Sequence, residues 1–390
     1  MSEFLLVVGI VVALFVGYNI GGATTGVSFG PGVGANVVSK VGAALLMSVF
    51  FFLGGWIIGP AVVETLGEDL VPSTVLTLET GIVALFFIGL ALFVGNVFGV
   101  PASTSMTAVG AIAGLGLATG TLDWATMGQI VAWWLVAPVT AFWVSGVIGR
   151  YFYPTINRWV AIDTDGKRLI SIDRSGTLPT IDLADGASRR ELSGSAVVIG
   201  IGCYMAFSSG ASNVANAIAP LVGSGSLTMS AGVLVACLAV AIGAFTIARR
   251  TLDTMGNDLT ALPLTAAVIV MVVSATIVTL LSAIGIPVQL VIVSTMSIVG
   301  LGWGRASRTT TVSDAMRGEP TATSFGALAG DTEGEAMPPI GEEEPEDMPT
   351  SADLFDPSAS ARVIVLQNVV PIIATIGAFL TFRFVPVFGF

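Results

Sequence analysis

Long runs of apolar residues, each with few or no charges, recur from one end of the chain to the other. A bilayer core of about 30 Å needs roughly 20 apolar residues per helical crossing, so the runs read as membrane helices. About ten elements are expected. In the first half they cover Phe4–Gly21, Val41–Val63, Gly81–Val97, Ala102–Leu117 and Ala125–Ile148. In the second half they cover Ser195–Ala217, Ala231–Ala248, Leu262–Ala283, Val288–Leu301 and Val363–Phe384. Several are short or interrupted by glycine, which predicts broken or re-entrant helices among the true crossings. The first run has no basic segment before it and no small-residue cleavage site after it, so it is read as a retained helix.

Two polar stretches interrupt the pattern and set the boundaries. Residues 1–149 form a first transmembrane repeat and 150–193 a polar cytoplasmic insert. Residues 194–304 begin a second repeat, 305–361 form an acidic disordered linker, and 362–390 supply the last helix. In the insert, two β-prone runs flank Asp165-Gly166, which predicts a hairpin. The linker carries Glu342-Glu343-Glu344, Glu346 and Asp347 among prolines and has no apolar period. Arginines follow the fifth, seventh and ninth elements, whereas the loop before the third holds Glu64, Glu68, Asp69 and Glu79 with no Lys or Arg. Basic loops stay cytoplasmic, so both termini are expected outside.

Composition removes several function classes. The chain is 54% hydrophobic and only 11% charged, against about 25% charged for soluble domains, so a soluble single-core protein is excluded. Histidine is absent, which removes imidazole chemistry and histidine-ligated metals. Cys203 and Cys237 lie inside apolar runs and read as small buried hydrophobes. No cofactor is called for. A net charge of −11 opposes a nucleic-acid partner. With lysine only at Lys40 and Lys167, the acidic surface resembles that of salt-adapted proteins.

Five elements per half is an odd number, so the second half enters the membrane in the opposite sense to the first. Gly99-Val100-Pro101 opens the fourth element and Gly285-Ile286-Pro287 the ninth. Gly114-Leu115-Gly116 and Gly300-Leu301-Gly302 follow at equal distances. The expected fold is therefore an all-α polytopic membrane protein in two inverted-topology repeats.

In such folds, half-helix N-termini point positive dipole ends and free N–H groups at an anion near the midplane. Three runs of small polar residues mark candidate positions: Asn19 to Gly26 with Thr24 and Thr25, Ser103-Thr104-Ser105 after Pro101, and Ser208 to Asn216 before Pro220. Asparagine is costly in hydrocarbon without partners, which favours a site over mere helix packing at Asn19, Asn213 and Asn216.

These runs carry a family resemblance. Gly210-Ala211-Ser212-Asn213-Val214-Ala215-Asn216-Ala217-Ile218-Ala219-Pro220 resembles the Gly-Ala-Asn-Asp-Val-Ala-Asn-Ala-Ile-Gly-Pro signature of the inorganic phosphate transporter (PiT) family. Gly99 to Met106 is similar to its Gly-Leu-Pro-Val-Ser-Thr-Thr-His, and Ser28 to Gly34 to its Ser-Phe-Gly-Thr-Ser-Val-Gly. The chain is identified as a divergent, archaeal-type, halophile-like member.

The resemblance implies a plasma-membrane symporter that brings inorganic phosphate into the cell with sodium or protons, built as a homodimer in the lipid bilayer. It places Ser212, Asn213 and Asn216 in the substrate and ion site. Ser103, Thr104 and Ser105 would donate to phosphate oxygens, with Asn19, Thr24 and Thr25 as first-repeat counterparts. The departures matter. Asn213 replaces the family's Asp, Ser212 its Asn and Met106 its His, while Ile20 stands where a second Asp is expected. Gln289 and Leu290 stand where Ser103 and Thr104 supply hydroxyls in the first half. Without carboxylates, a cation has only amide, hydroxyl and backbone oxygens to bind. Loss of an acceptor carboxylate also leaves phosphate and sulfate poorly separated. Alternatives are therefore a sulfate or other oxyanion permease, and a non-transporting regulatory or scaffold protein acting through the acidic linker.

Overall fold

The computed structural model describes residues 2–97, 103–160, 170–173, 180–183, 189–248, 252, 264–306 and 357–385. Twelve helices run through these residues: α1 (Ser2–Gly34), α2 (Lys40–Ile57), α3 (Gly59–Glu64), α4 (Leu78–Val97), α5 (Thr104–Thr119) and α6 (Trp124–Val147), then α7 (Tyr153–Val160), α8 (Arg189–Gly223), α9 (Met229–Thr246), α10 (Leu264–Ala283), α11 (Leu290–Ala306) and α12 (Pro357–Phe384). Seven are long and apolar enough to cross a membrane: α1, α2, α4, α6, α8, α9 and α10. Three shorter apolar helices span Thr104–Thr119, Leu290–Arg305 and Val369–Phe384. The protein is an all-α, multi-pass membrane protein. Large apolar side chains exposed at helical spacing, such as Leu234, Leu238 and Ile242 on α9, form an outer face suited to lipid rather than water.

The breaks expected in the first and sixth segments are not there. Helix α1 continues through Asn19, Thr24 and Pro31 for 33 residues, and α8 continues through Asn213, Asn216 and Pro220 for 35. The polar side chains that looked like breakers bond back onto the preceding turn. Asn19 Nδ2 donates to the Phe15 carbonyl (2.8 Å), Thr24 to Ile20 (2.8 Å), Thr25 to Gly21 (2.7 Å) and Asn213 Nδ2 to Ser209 (2.9 Å). A real interruption does occur before α5 and before α11, where Ser103 and Gln289 precede the first helical residue.

The insert holds an antiparallel strand pair. Ile170–Asp173 pairs antiparallel with Thr180–Leu183, Ile170 opposite Leu183 and Asp173 opposite Thr180. The strand thus finds its partner downstream, while the Asp165-Gly166 turn lies outside the described residues, as does the acidic linker from 307 to 356.

Glycine fixes how closely the long helices cross. A methyl on Gly54 of α2 would land on the Phe207 carbonyl of α8, and one on Gly210 of α8 would land on the Phe51 carbonyl of α2. Gly21 of α1 and Gly243 of α9 make the matching contact, against the carbonyls of Val240 and Tyr18. Small residues admit this approach of backbones where no hydrophobic drive exists between helices.

A shift of 189 residues relates the two crossings. It carries Gly21 to Gly210, Pro31 to Pro220, Gly34 to Gly223 and Gly54 to Gly243. It also carries the positive φ of Asn36 (56°) onto that of Gly225 (69°), and the α2 cap Ser39 onto the α9 cap Thr228. Helices α1 and α8 run in opposite directions: Gly9 faces Leu221, Phe29 faces Gly202 and Gly32 faces Val198.

Four of the remaining helices pack as two pairs. Gly110 and Gly114 of α5 lie against Pro371, Thr375 and Phe379 of α12. Gly300 and Gly304 of α11 lie against Phe142 and Gly146 of α6, where Ser145 and Ser297 also share a hydrogen bond.

The Gly54–Gly210 crossing generates a test. Gly210→Val should abolish recovery of folded, monodisperse protein, since overpacking against backbone costs at least ~1–3 kcal/mol. Gly128→Ala and Gly200→Ala, whose methyls meet open space, should be neutral or stabilising by up to about 1 kcal/mol. Thermal melts monitored by size exclusion in detergent measure both.

Candidate functional site

The starts of α5 and α11 converge on the middles of α1 and α8. A small cavity of about 20 Å³ lies where they meet. It is lined by Ala23, Thr24 and Val27 of α1, Ser103 and Thr104 at the start of α5, Asn213 of α8, and Gln289, Leu290 and Val291 at the start of α11. Such a volume holds a water molecule or so. A tetrahedral oxyanion of five heavy atoms fits only if the helix ends move apart.

Each helix start has local causes. Ser103 caps α5: its carbonyl accepts from Thr107 N (3.1 Å) and its hydroxyl from Met106 N (3.3 Å). The residues leading into α11 are held from both sides. Trp134 of α6 donates its indole N–H to the Pro287 carbonyl (2.8 Å). The Ser212 hydroxyl accepts from Val288 N (3.2 Å) and donates to Val288 O (3.1 Å).

Around the cavity the polar side chains form one network. Asn213 is its hub. The Thr104 hydroxyl donates to Asn213 Oδ1, which also accepts from Asn216 Nδ2 (3.1 Å), while Asn213 Nδ2 donates to the Ser209 carbonyl and hydroxyl (2.9 and 3.2 Å). Asn216 Nδ2 also reaches the Ser105 hydroxyl (3.4 Å), and Ser105 donates to the Val288 carbonyl (3.0 Å). Ser105, Ser212, Asn213 and Asn216 are all at most 2% exposed. Buried amides and hydroxyls are costly unless paired, which accounts for the network, within which Asn216 Oδ1 is left without a partner.

Of the nine residues expected in the site, Ser103, Thr104, Ser105, Ser212, Asn213 and Asn216 thus join one cluster, and Thr24 lines the cavity from α1. Asn19 and Thr25 do not. Asn19 accepts from Asn96 Nδ2 of α4 at its Oδ1 (3.0 Å) and its carbonyl (3.1 Å), and the Thr25 hydroxyl stays on the Gly21 carbonyl. Both serve the α1 contacts rather than the cavity.

Sequence reasoning missed three participants: the Val288 carbonyl, the Trp134 indole and the Gln289 side chain. The first two leave no sequence signal. Gln289 is flagged by the internal repeat, because a shift of 186 residues carries Ser103 onto it along with Gly114 onto Gly300.

No side chain lining the cavity is ionisable among the described residues. Among the described residues no three His, Cys, Asp or Glu side chains gather as a metal site. The field comes from backbone: two helices present their positive N-terminal ends to the cavity, an arrangement that favours an anion.

Comparisons with known proteins agree with this architecture. The sequence pattern of a family described as the phosphate transporter family matches residues 20–322. The chain is 30% identical over 297 residues to the sulfate permease CysP of Bacillus subtilis, covering 76% of this chain and 77% of that one. It superposes with a TM-score of 0.68 on a solved structure titled "The sodium-dependent phosphate transporter", at 18% identity, over 97% of this chain and 98% of the other. At that identity the likeness establishes the fold.

The network predicts an asymmetry between two substitutions. Thr104→Ser keeps the hydroxyl on Asn213 and should melt within about 0.5 kcal/mol of the parent. Thr104→Val should cost about 1–3 kcal/mol, because it removes a donor from a buried amide oxygen. Equal melting of the two in detergent would contradict the hub role of Asn213.

Proposed function

We propose, from the premise that this chain belongs to the phosphate transporter family, that it imports inorganic phosphate across the plasma membrane, coupled to sodium, by alternating access. The observation that carries the reading is the convergence of two helix N-termini on a neutral cavity lined by hydroxyls and amides. Ser103, Thr104, Ser105, Ser212, Asn213 and Asn216 form the substrate site, with Thr24 from α1. Asn213 and Asn216 hold the hydroxyls in place, and the helix ends supply the field for the anion.

Two features support alternating access. The antiparallel course of α1 and α8, together with the 189-residue correspondence, fits inverted repeats. The cavity is also too small for its substrate as it stands, which fits an arrangement that must open to load. With no carboxylate lining the cavity, sodium would take amide, hydroxyl and backbone oxygens as ligands.

A second reading, sulfate import, has specific support. The relative named sulfate permease shares 30% identity over three quarters of this chain, and Asn213 leaves the site without the carboxylate that would accept a proton from phosphate.

Uptake of labelled phosphate into proteoliposomes decides among these. Phosphate uptake that rises with an inward sodium gradient and resists unlabelled sulfate is the expected result. Uptake indifferent to the gradient would mean an uncoupled carrier, and stronger competition by sulfate than by phosphate would select the second reading. Asn213→Ala and Thr104→Ala should each lower uptake by about tenfold or more, the loss expected from one hydrogen bond in a site for a charged ligand. Unchanged uptake in both would remove the site.

A further inference from the structure

Phosphate near neutral pH keeps at least one proton, whereas sulfate keeps none. A site that distinguishes them must offer a hydrogen-bond acceptor to the oxyanion, an atom that attracts P–OH and repels a bare sulfate oxygen. In this cavity a carboxylate does not supply it.

Most acceptors of the network are in use; Asn216 Oδ1 is buried without a partner, but Asn216 does not line the cavity. Asn213 Oδ1 takes hydrogen bonds from Thr104 and Asn216. The Val288 carbonyl takes them from Ser105 and Ser212. The Ser103 hydroxyl accepts from Met106 N. Gln289 Oε1 differs from all of these: it is buried, it belongs to a residue lining the cavity, and it has no hydrogen-bond partner. The whole residue is 6% exposed.

Its place in the fold makes this unusual. The Gln289 carbonyl accepts from Val293 N (3.2 Å), which puts Gln289 at the cap of α11 as Ser103 is at the cap of α5. Ser103 turns its side chain back to close the helix end, and Gln289 does not. The backbone on its N-terminal side is fixed by Trp134 and Ser212, so the carboxamide is held beside the start of α11 without being consumed by it. An unpaired buried amide oxygen carries a free-energy penalty, which a protonated ligand would relieve.

We propose that Gln289 is the specificity-determining residue of the site, accepting the P–OH proton at Oε1 and thereby favouring phosphate over sulfate. This rests on the oxyanion-permease reading above and deepens it. The carboxamide does the work that an acceptor carboxylate would do, without adding a negative charge against the anion.

The test uses the full chain in proteoliposomes and compares labelled phosphate uptake with its inhibition by sulfate, in the parent protein and in Q289M, which keeps side-chain length and lacks the amide. The preference for phosphate should fall by about tenfold or more in Q289M, chiefly through weaker phosphate handling. A preference unchanged within about twofold, or a loss that falls on sulfate instead, would overturn the assignment; the latter would mean that the amide serves as a donor. Q289E provides the second arm, since it keeps an acceptor of the same length. It should retain or sharpen the preference even where total uptake drops, and loss of the preference would count against the proposal. Failure of the parent protein to prefer phosphate is a separate result: it overturns the phosphate reading itself, and the Gln289 assignment with it.

Discussion

Hydrocarbon offers no hydrogen bonds, and the interior of this protein is arranged around that deficit. Every polar group on a membrane helix must find a protein partner or carry a penalty of order kcal/mol. Along α1 the solution is local, each Asn or Thr turning back to a carbonyl four residues earlier. At the meeting point of α5, α8 and α11 it is collective. Two acceptors, Asn213 Oδ1 and the Val288 carbonyl, each take two donors, and through them three helices are tied together. The same arrangement places two helix N-termini side by side, so the means of satisfying buried polarity also creates an anion-attracting field.

Close packing is what makes the network affordable in space. Asn213 lies one turn beyond Gly210, where α8 presses its backbone onto α2. A larger residue at that crossing would push α8 away from α2 and shift the amide hub with it. Gly-Ala-Ser-Asn is therefore both a packing element and a polar one.

Much of this was legible in the sequence, and the exceptions have identifiable causes. Hydropathy alone located the apolar helices, because bilayer thickness imposes their length. The polar runs marked residues that meet around the cavity, since amides and hydroxyls in apolar segments need a reason. Helix continuity at Asn19 and Asn213 was misjudged because Gly, Asn and Pro break helices in water, where the freed groups are solvated. In the packed interior those side chains bond backward and the glycines receive a neighbouring backbone. Asn19 and Thr25 were placed in the site by motif alignment, but helical rotation turns them toward α4 and the α1 backbone. The insert holds an antiparallel strand pair, Ile170–Asp173 with Thr180–Leu183, whereas the Asp165-Gly166 turn lies outside the described residues. Gln289 looked like a lost hydroxyl; only its geometry shows an amide left unpaired.

The pairing of the short helices has a mechanical consequence. Helix α5 is locked to α12 through Gly110 and Gly114, and α11 to α6 through Gly300, Gly304, the Ser145–Ser297 bond and the Trp134 indole. Two parts of the cavity wall therefore belong to different helix pairs, Ser103 and Thr104 to α5–α12, and Gln289 and Leu290 to α11–α6, while α1 and α8 supply the rest. A hinge that rotates one pair against the other needs no change within any helix to alter the gap between Thr104 and Gln289. The bond that spans the divide, Ser105 to Val288, is then the latch, and whatever molecule bridges the two walls competes directly with it.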